Sequence, residues 1–254
     1  MSYYLRDSIG TKRDYIYHPW EDVIKQYRGI RKSFNSYGTF GEATIDEIFE
    51  GEDLNDAYIK KANWRKSSWI ENLGDNRFAL HALPMEVQWA PIYGIVPMDV
   101  NADHYKDLVL VGNDYGLEVH QGRSDALNGL VLKNNAGKEF EVLDLESTNF
   151  YTGKDAKSLV NLRMASGESL LIASQNNDSL EVYRPQQSHK SIVWMDNEVS
   201  CHLYFDTTTY RRYERSGNTG FQSQSTASIP YHKQALRYEF FDRKGKSTRI
   251  VSNP

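Results

Sequence analysis

Asp99-Val-Asn-Ala-Asp-His-Tyr-Lys-Asp107 runs directly into Leu108-Val-Leu-Val-Gly112. Oxygen-bearing side chains fall at loop positions 1, 3, 5 and 9, on Asp99, Asn101, Asp103 and Asp107, and the backbone carbonyl of Tyr105 is available at position 7. A hard cation needs six or more oxygens at short range, and alternate residues of a tight loop can present them together. The apolar run after the loop reads as a buried strand. This is the pattern of a loop-then-strand calcium site. An EF-hand would place a helix after the loop and a bidentate Glu at position 12, where Leu110 stands. Position 6, where a sharp turn favours Gly, is His104. The competing reading is an Asp/Asn-rich turn without metal.

Outward from this stretch the chain repeats itself. Ile70-Glu-Asn-Leu-Gly-Asp-Asn-Arg-Phe78-Ala-Leu matches Leu132-Lys-Asn-Asn-Ala-Gly-Lys-Glu-Phe140-Glu-Val. Each is a strand, an Asn/Gly turn and a strand opening on Phe, which is a hairpin pattern. Asp107–Val119 matches Ser169–Val182 with one residue inserted, and both pairs are offset by about 62 residues. A unit of that length holding about four strands is the size of a propeller blade. The second unit lacks the acidic spacing: its equivalent stretch is Asn161-Leu-Arg-Met-Ala-Ser-Gly-Glu168.

The flanks differ in kind. Residues 1–18 read as a Tyr-rich hairpin, a partial blade, around a polar Asp7–Asp14 turn. Residues 19–66 read as a helical insertion. Trp20, Val23, Ile24, Tyr27, Ile30 and Phe34 recur at helical spacing after Pro19, a second helix is expected over about 41–50 and a third over about 53–61. Residues 67–185 carry the blade-like repeats. Residues 186–254 form a small C-terminal β module: a linker and lead-in strand over 186–195, then strands at Glu198–Asp206, Thr208–Arg215, Ser223–Pro230, Leu236–Asp242 and Thr248–Ser252, with turns at Gly217-Asn-Thr-Gly220 and Arg243-Lys-Gly245. The fold class is therefore mainly β: partial propeller blades with a helical insertion and a β-sandwich-like terminal module.

Composition narrows the function. The 254 residues include 17 Tyr, 10 Phe and 5 Trp, a mixture suited to short strands, and a net charge of −4 that gives no basic patch for nucleic acid. There is no apolar window long enough to span a bilayer, and the first residues carry no signal-peptide core. One cysteine, Cys201, rules out an internal disulfide and reads as a strand thiol, and the seven His show no zinc spacing.

In their order these motifs resemble the C-terminal part of FG-GAP/VCBS-repeat proteins, integrin-α-like propellers with an ASPIC/UnbV-like terminal module of the Bacteroidota type. The loop followed by Leu-Val-Leu-Val-Gly is similar to an FG-GAP repeat. Leu83–Ile95 looks like the strand entering the last calcium loop, Asn113-Asp-Tyr-Gly-Leu-Glu118 and Gly122-Arg-Ser-Asp-Ala126 like the segment after it, and Gln175-Asn-Asn-Asp178 like the final blade. Gly220-Phe-Gln-Ser-Gln-Ser225 is similar to a stretch of the terminal module, and Phe34-Asn-Ser-Tyr37 with Ala43–Phe49 to an insertion in these proteins. The resemblance implies an extracellular or cell-envelope, non-catalytic binding protein with Ca2+ as its cofactor and a protein or glycan as its ligand. It also implies a longer parent protein, since family members have a full propeller upstream. A ligand-facing loop is expected from Asn113, Tyr115, Glu118, Arg123 and Asp125, with Asn176 and Asp178 beside it. Two other readings stand. The carboxylates after the calcium strand could serve glycosidic acid/base work, although a salt-bridged loop explains Glu118, Arg123 and Asp125 more simply. Tyr204, Tyr210 and Tyr213 of the terminal module could form the contact surface of an assembly scaffold.

Overall fold

The computed structural model describes residues 2–6, 12–51, 57–58, 60–103, 105–119, 121–186, 191–215 and 224–252. It is mainly β, with several small antiparallel sheets and none closed into a barrel. The chain divides into two compact units, Met1–Asn63 and Trp64–Pro254. No helix among the described residues is long and apolar enough to cross a membrane.

The first unit joins the expected hairpin and the helical stretch. β1 (Ser2–Arg6) pairs antiparallel with β2 (Lys12–Ile16), and Tyr15 bridges to Thr44. The single helix expected from Trp20 to Phe34 is two: α1 (Trp20–Gln26) and α2 (Ile30–Ser33). The break falls at Tyr27, which is extended, just before Gly29, a poor helix former. The second expected helix is likewise divided into α3 (Tyr37–Glu42), capped by Ser36, and α4 (Ile45–Ile48). Thr44 and Glu47 form a reciprocal capping box that starts α4 afresh. The apolar face predicted from spacing is real: Ile30, Phe40, Ala43 and Ile48 are buried, with Trp20, Val23, Ile24, Tyr27 and Phe34 against them. Most of the third expected helix lies outside the described residues, and Ala57, Tyr58, Lys60 and Lys61 are not helical. The Asp7–Asp14 turn also falls largely outside them.

The second unit begins with three sheets in succession. β3 (Ser68–Gly74) and β4 (Arg77–Ala82) form a hairpin. Its turn residues Asp75 and Asn76 both have positive φ, the conformation that suits the strand twist. β5 (Ile92–Met98), β6 (Asp107–Gly112), β7 (Leu130–Asn134) and β8 (Phe140–Val142) form a four-stranded antiparallel meander. After a short helix α5 (Leu145–Thr148), β9 (Ala156–Arg163), β10 (Ser169–Gln175) and β11 (Glu181–Tyr183) form a three-stranded meander. The first repeated pair is thus the hairpin β3–β4 against β7–β8, and the second is β6 against β10. The match fails at its end: Leu117-Glu-Val119 is turn and coil, whereas Glu181–Tyr183 is strand. After β6 the chain makes a long connection before β7. After β10 it turns back at once.

β6 is buried on both faces, which is why it reads as an unbroken apolar run. Val109 and Val111 pack with Leu159, Leu171 and Ala173 of the β9–β11 sheet. Leu110, with Leu132 of β7, packs on the other side with Leu83, Val87 and Trp69. Full burial of a side chain such as Leu110 stabilises by about 1.5–3 kcal/mol. Two glycines mark close approaches. A Cβ on Gly94 would lie 2.6 Å from the Leu159 backbone nitrogen, and one on Gly112 would lie 2.0 Å from the Pro91 carbonyl.

The C-terminal sheets follow four of the five expected strands; of the strand expected over Ser223–Pro230 only Ser228–Pro230 is strand, and residues 224–227 are coil. β12 (Ser191–Val193) pairs with β15 (Ser228–Pro230), and β14 (Tyr210–Glu214), β13 (Ser200–Tyr204), β16 (Arg237–Phe241) and β17 (Ser247–Ser252) form a four-stranded sheet in that order. Residues of both sheets share one core of Trp194, Cys201, Leu203, Ile229, Ala235, Tyr238 and Phe240. The 217–220 turn and the start of the Gly220–Ser225 motif lie outside the described residues. Ser225 and Thr226 run along β9: Asn161 N–H donates to Ser225 Oγ at 3.0 Å, and Thr226 N–H to the Asn161 carbonyl at 2.9 Å. They give that edge of β9 hydrogen-bond partners. Burial, with the nearby Glu198 charge, pushes the Cys201 thiol up to about 12. Cys201 is therefore expected to react with a thiol-specific reagent at pH 7–8 only after unfolding. Stoichiometric labelling of the native protein would contradict its place in the core.

Candidate functional site

The 99–107 loop joins the first two strands of the complete meander. Asp107, at the start of β6, is fully buried. Its Oδ2 accepts from the Val100 N–H and its Oδ1 from the Asn134 N–H, both at 2.8 Å. The carboxylate therefore clamps the head of the loop to the β7–β8 hairpin. Burial pushes its pKa up, the two N–H groups oppose that, and the charges of Asp103 and Asp99 add to the rise. Around it the loop is bonded to itself. Asp103 N–H donates to Asn101 Oδ1 at 3.1 Å, Tyr105 N–H to Asp103 Oδ1 at 2.8 Å and Asn101 Nδ2 to Asp103 Oδ2 at 2.8 Å. Ala102 takes a left-handed φ of 64°. His104 lies outside the described residues. Asn101, Asp103 and Tyr105 are exposed, and Asp99 is half-buried.

The donor chemistry suits calcium: hard oxygens on alternate residues, with three carboxylates whose charges act on one another. The hydrogen-bonded geometry is that of a turn. Among the described residues no three His, Cys, Asp or Glu side chains form a group that could hold a metal ion. The bond between the Asn101 amide and Asp103 engages oxygens that a cation would need.

The loop forms one lip of a cleft of about 670 Å³. Its walls include Asp99, Val100 and Asn101, the buried Val109, Val131 and Leu171, and Tyr183 and Arg184. The cleft opens between the β5–β8 and β9–β11 sheets, with an apolar base and a polar rim.

The expected ligand-facing residues behave differently from one another. Asn113 is fully buried and turned inward, which corrects its assignment to a ligand-facing loop. Its Nδ2 donates to the carbonyls of Leu127 at 2.7 Å and Lys154 at 2.9 Å, and its Oδ1 accepts from the Leu127 N–H at 2.9 Å. At a φ of 87° it occupies the region that Asn tolerates better than most residues. Asn176 donates to Asp155 Oδ2 at 3.1 Å, and Asp178 pairs with Lys154 and caps the Ser179 N–H, so both serve their turn. Glu118, Arg123 and Asp125 are exposed on the β6–β7 connection, and the Arg123 guanidinium lies 4.8 Å from the centroid of the half-buried Tyr115 ring.

Between the two sheets stands a polar cluster that sequence reading missed. Lys157 Nζ is 2.7 Å from Asp155 Oδ1, 3.3 Å from Asp114 Oδ1 and 3.0 Å from the Asn113 carbonyl, and it lies 4.1 Å above the Tyr93 ring. Tyr93 Oη donates to Asp114 Oδ2 at 2.9 Å. Burial works against the Lys157 ammonium, but the two carboxylates overcome it and its pKa is raised. This is a charge-paired staple between sheets. Each charged group is already satisfied, which suits cohesion better than proton transfer. The only local signal was Asp155 two residues before Lys157 at the start of a strand. No family model matches the chain, and no curated protein or solved structure matches it.

Proposed function

We propose that this chain is a non-catalytic binding or interaction protein of the calcium-containing propeller type, acting outside the cytoplasm on a protein or glycan ligand. The observation that carries this reading is where the repeat falls. Its two halves lie on corresponding strands of successive antiparallel sheets, and the oxygen-rich loop joins the first two strands of the complete sheet. Asp99, Asn101, Asp103, Asp107 and the Tyr105 carbonyl are the calcium donors. Calcium there would neutralise carboxylates whose mutual repulsion contributes to raising Asp107. The ligand site is the 670 Å³ cleft beside the loop, a volume in the usual range for small-ligand pockets.

Calorimetric titration of the chain with calcium tests the metal assignment. One site is expected, with Kd on the order of 10⁻⁴–10⁻³ M, as for extracellular modules. It should disappear in Asp103→Ala and should not be reproduced by magnesium. Absence of binding at millimolar calcium would leave the loop as a hydrogen-bonded turn.

A further inference from the structure

The four-stranded C-terminal sheet buries one face and leaves the other open. Alternation along β13 turns Cys201 and Leu203 into the core and His202 and Tyr204 outward. The strand register carries the outward rows across the sheet: Arg212, His202, Glu239 and Ile250 in one, Tyr210, Tyr204 and Arg237 in the next. Tyr213 points the other way and packs on the core, so of the three tyrosines suited to a contact surface only Tyr204 and Tyr210 share this face. We infer that this face is the interface of a homodimer, docked on the same face of a second copy of the chain about a two-fold axis that runs parallel to the strands between β13 and β16. The inference stands apart from the calcium loop.

The composition of the face selects the occupant. Tyr210 is 48% and Ile250 58% exposed, and aromatic and Arg side chains are what interface centres favour. The charges are Arg212, Glu214, Arg237 and Glu239, which cancel with His202 neutral, so a strongly charged partner finds no complement here. The rings are engaged with one another. His202 stacks on Tyr210 at 4.1 Å and 17°, Phe241 lies 4.5 Å from His202, and the Arg237 guanidinium lies 4.2 Å from the Tyr204 ring centroid. A sugar ring seeks an open aromatic face, and these faces are already covered. A surface of mixed, balanced charge is matched by its own copy, because an isologous contact repeats each pairing twice.

The charge pattern also selects the axis. Arg212 pairs with Glu214 at 2.8 Å, whereas Arg237 and Glu239 form no ion pair among the described residues. An axis parallel to the strands lays β13 over β16 and β14 over β17 of the second copy. Glu239 then meets His202, a hydrogen-bond donor, Arg237 meets the Tyr204 ring, and Ile250 meets the Arg212 stem. An in-plane axis across the strands through that row lays each strand over itself and sets Glu239 against Glu239 and Arg212 against Arg212. Like charges so placed are destabilising. Sheets that pack face to face keep their strands within about 30°, which the strand-parallel axis allows.

Four strands about five residues long give a face of roughly 19 by 17 Å. That is the low end for a specific interface, so a weak dimer is expected, with Kd on the order of 10⁻⁵–10⁻⁴ M. Sedimentation velocity of the full chain in EDTA, from about 1 μM to about 1 mM, measures it. Ile250→Arg sets a second guanidinium against Arg212 and should weaken the dimer about tenfold or more with an unchanged melting temperature. Lys244→Gln, in the β16–β17 turn, should dimerise as the parent does. Arg212→Cys mixed with Ile250→Cys should link into a disulfide dimer under mild oxidation, and neither variant should do so alone, since Cys201 is buried. A monomer throughout the range would overturn the assignment and leave the face to a different partner. A dimer that Ile250→Arg leaves intact would place the interface elsewhere. Self-linking of Arg212→Cys as fast as the mixture links would overturn the axis.

Discussion

Replacing Glu198 with alanine is expected to lower the unfolding free energy by about 3–5 kcal/mol, the usual cost of breaking a buried ion pair. Glu198 is fully buried at the start of the four-stranded C-terminal sheet. Its Oε1 accepts from Arg249 Nε and its Oε2 from the Arg249 terminal nitrogen, both at 2.8 Å, and Oε2 also accepts from the Met195 N–H at 2.7 Å. Arg249 further donates to the Val193 carbonyl at 3.0 Å and lies 4.2 Å above the Phe240 ring. One carboxylate therefore ties the lead-in strand, the β13 turn and β17 together. Removing it leaves the half-buried Arg249 guanidinium without its counter-charge. Urea unfolding at pH 7 measures the effect. The pair Glu198→Leu with Arg249→Met should recover most of the loss, because replacing both partners removes the uncompensated charge. A loss under about 1 kcal/mol in the single variant would mean that Arg249 finds solvent easily and that the pair is peripheral.

Asn113→Ala is expected to cost about 3–5 kcal/mol. Three side-chain hydrogen bonds disappear, a buried N–H and two carbonyls lose partners worth about 1–3 kcal/mol each, and some of that loss is recovered by relaxation. Alanine must also hold the positive φ that Asn113 adopts. The residue closes β6, anchors Leu127 at the far end of the long connection and reaches the Lys154 carbonyl next to Asp155. Amide exchange adds a local readout: the Leu127 N–H, which donates to Asn113, should lose protection ahead of the β6 amides. Unchanged protection at Leu127 would show that the connection is held without Asn113.

These two residues also show where sequence reading ends. Leu108–Gly112 announced a buried strand because both its faces are covered, and the Asn/Gly turns announced the β3–β4 and β7–β8 hairpins because their backbone conformations favour those residues. The terminal strands were legible from alternation and turn residues. What stayed hidden depends on partners distant in the chain. Glu198 and Arg249 are 51 residues apart, and Lys157 meets Asp114 and Tyr93 only because β9 packs against β5. Asn113 looked like a loop residue offered to a ligand. Its backbone conformation and its distant acceptors turn it inward. The helix break at Tyr27–Gly29 was signalled by a glycine, but the continuing apolar spacing concealed it. In the 99–107 loop the oxygen spacing was plain from the residues. The bonding of those oxygens to the loop's own backbone was not.

Thermal unfolding of the chain in excess EDTA, then in millimolar calcium with magnesium as the control and Asp103→Ala alongside, tests the central claim most directly. A calcium-selective rise in melting temperature is expected, absent in the variant. At about 100-fold excess over Kd the added stability should be roughly 2.7 kcal/mol. Identical melting in calcium and EDTA would contradict the calcium reading and remove its support for an extracytoplasmic role.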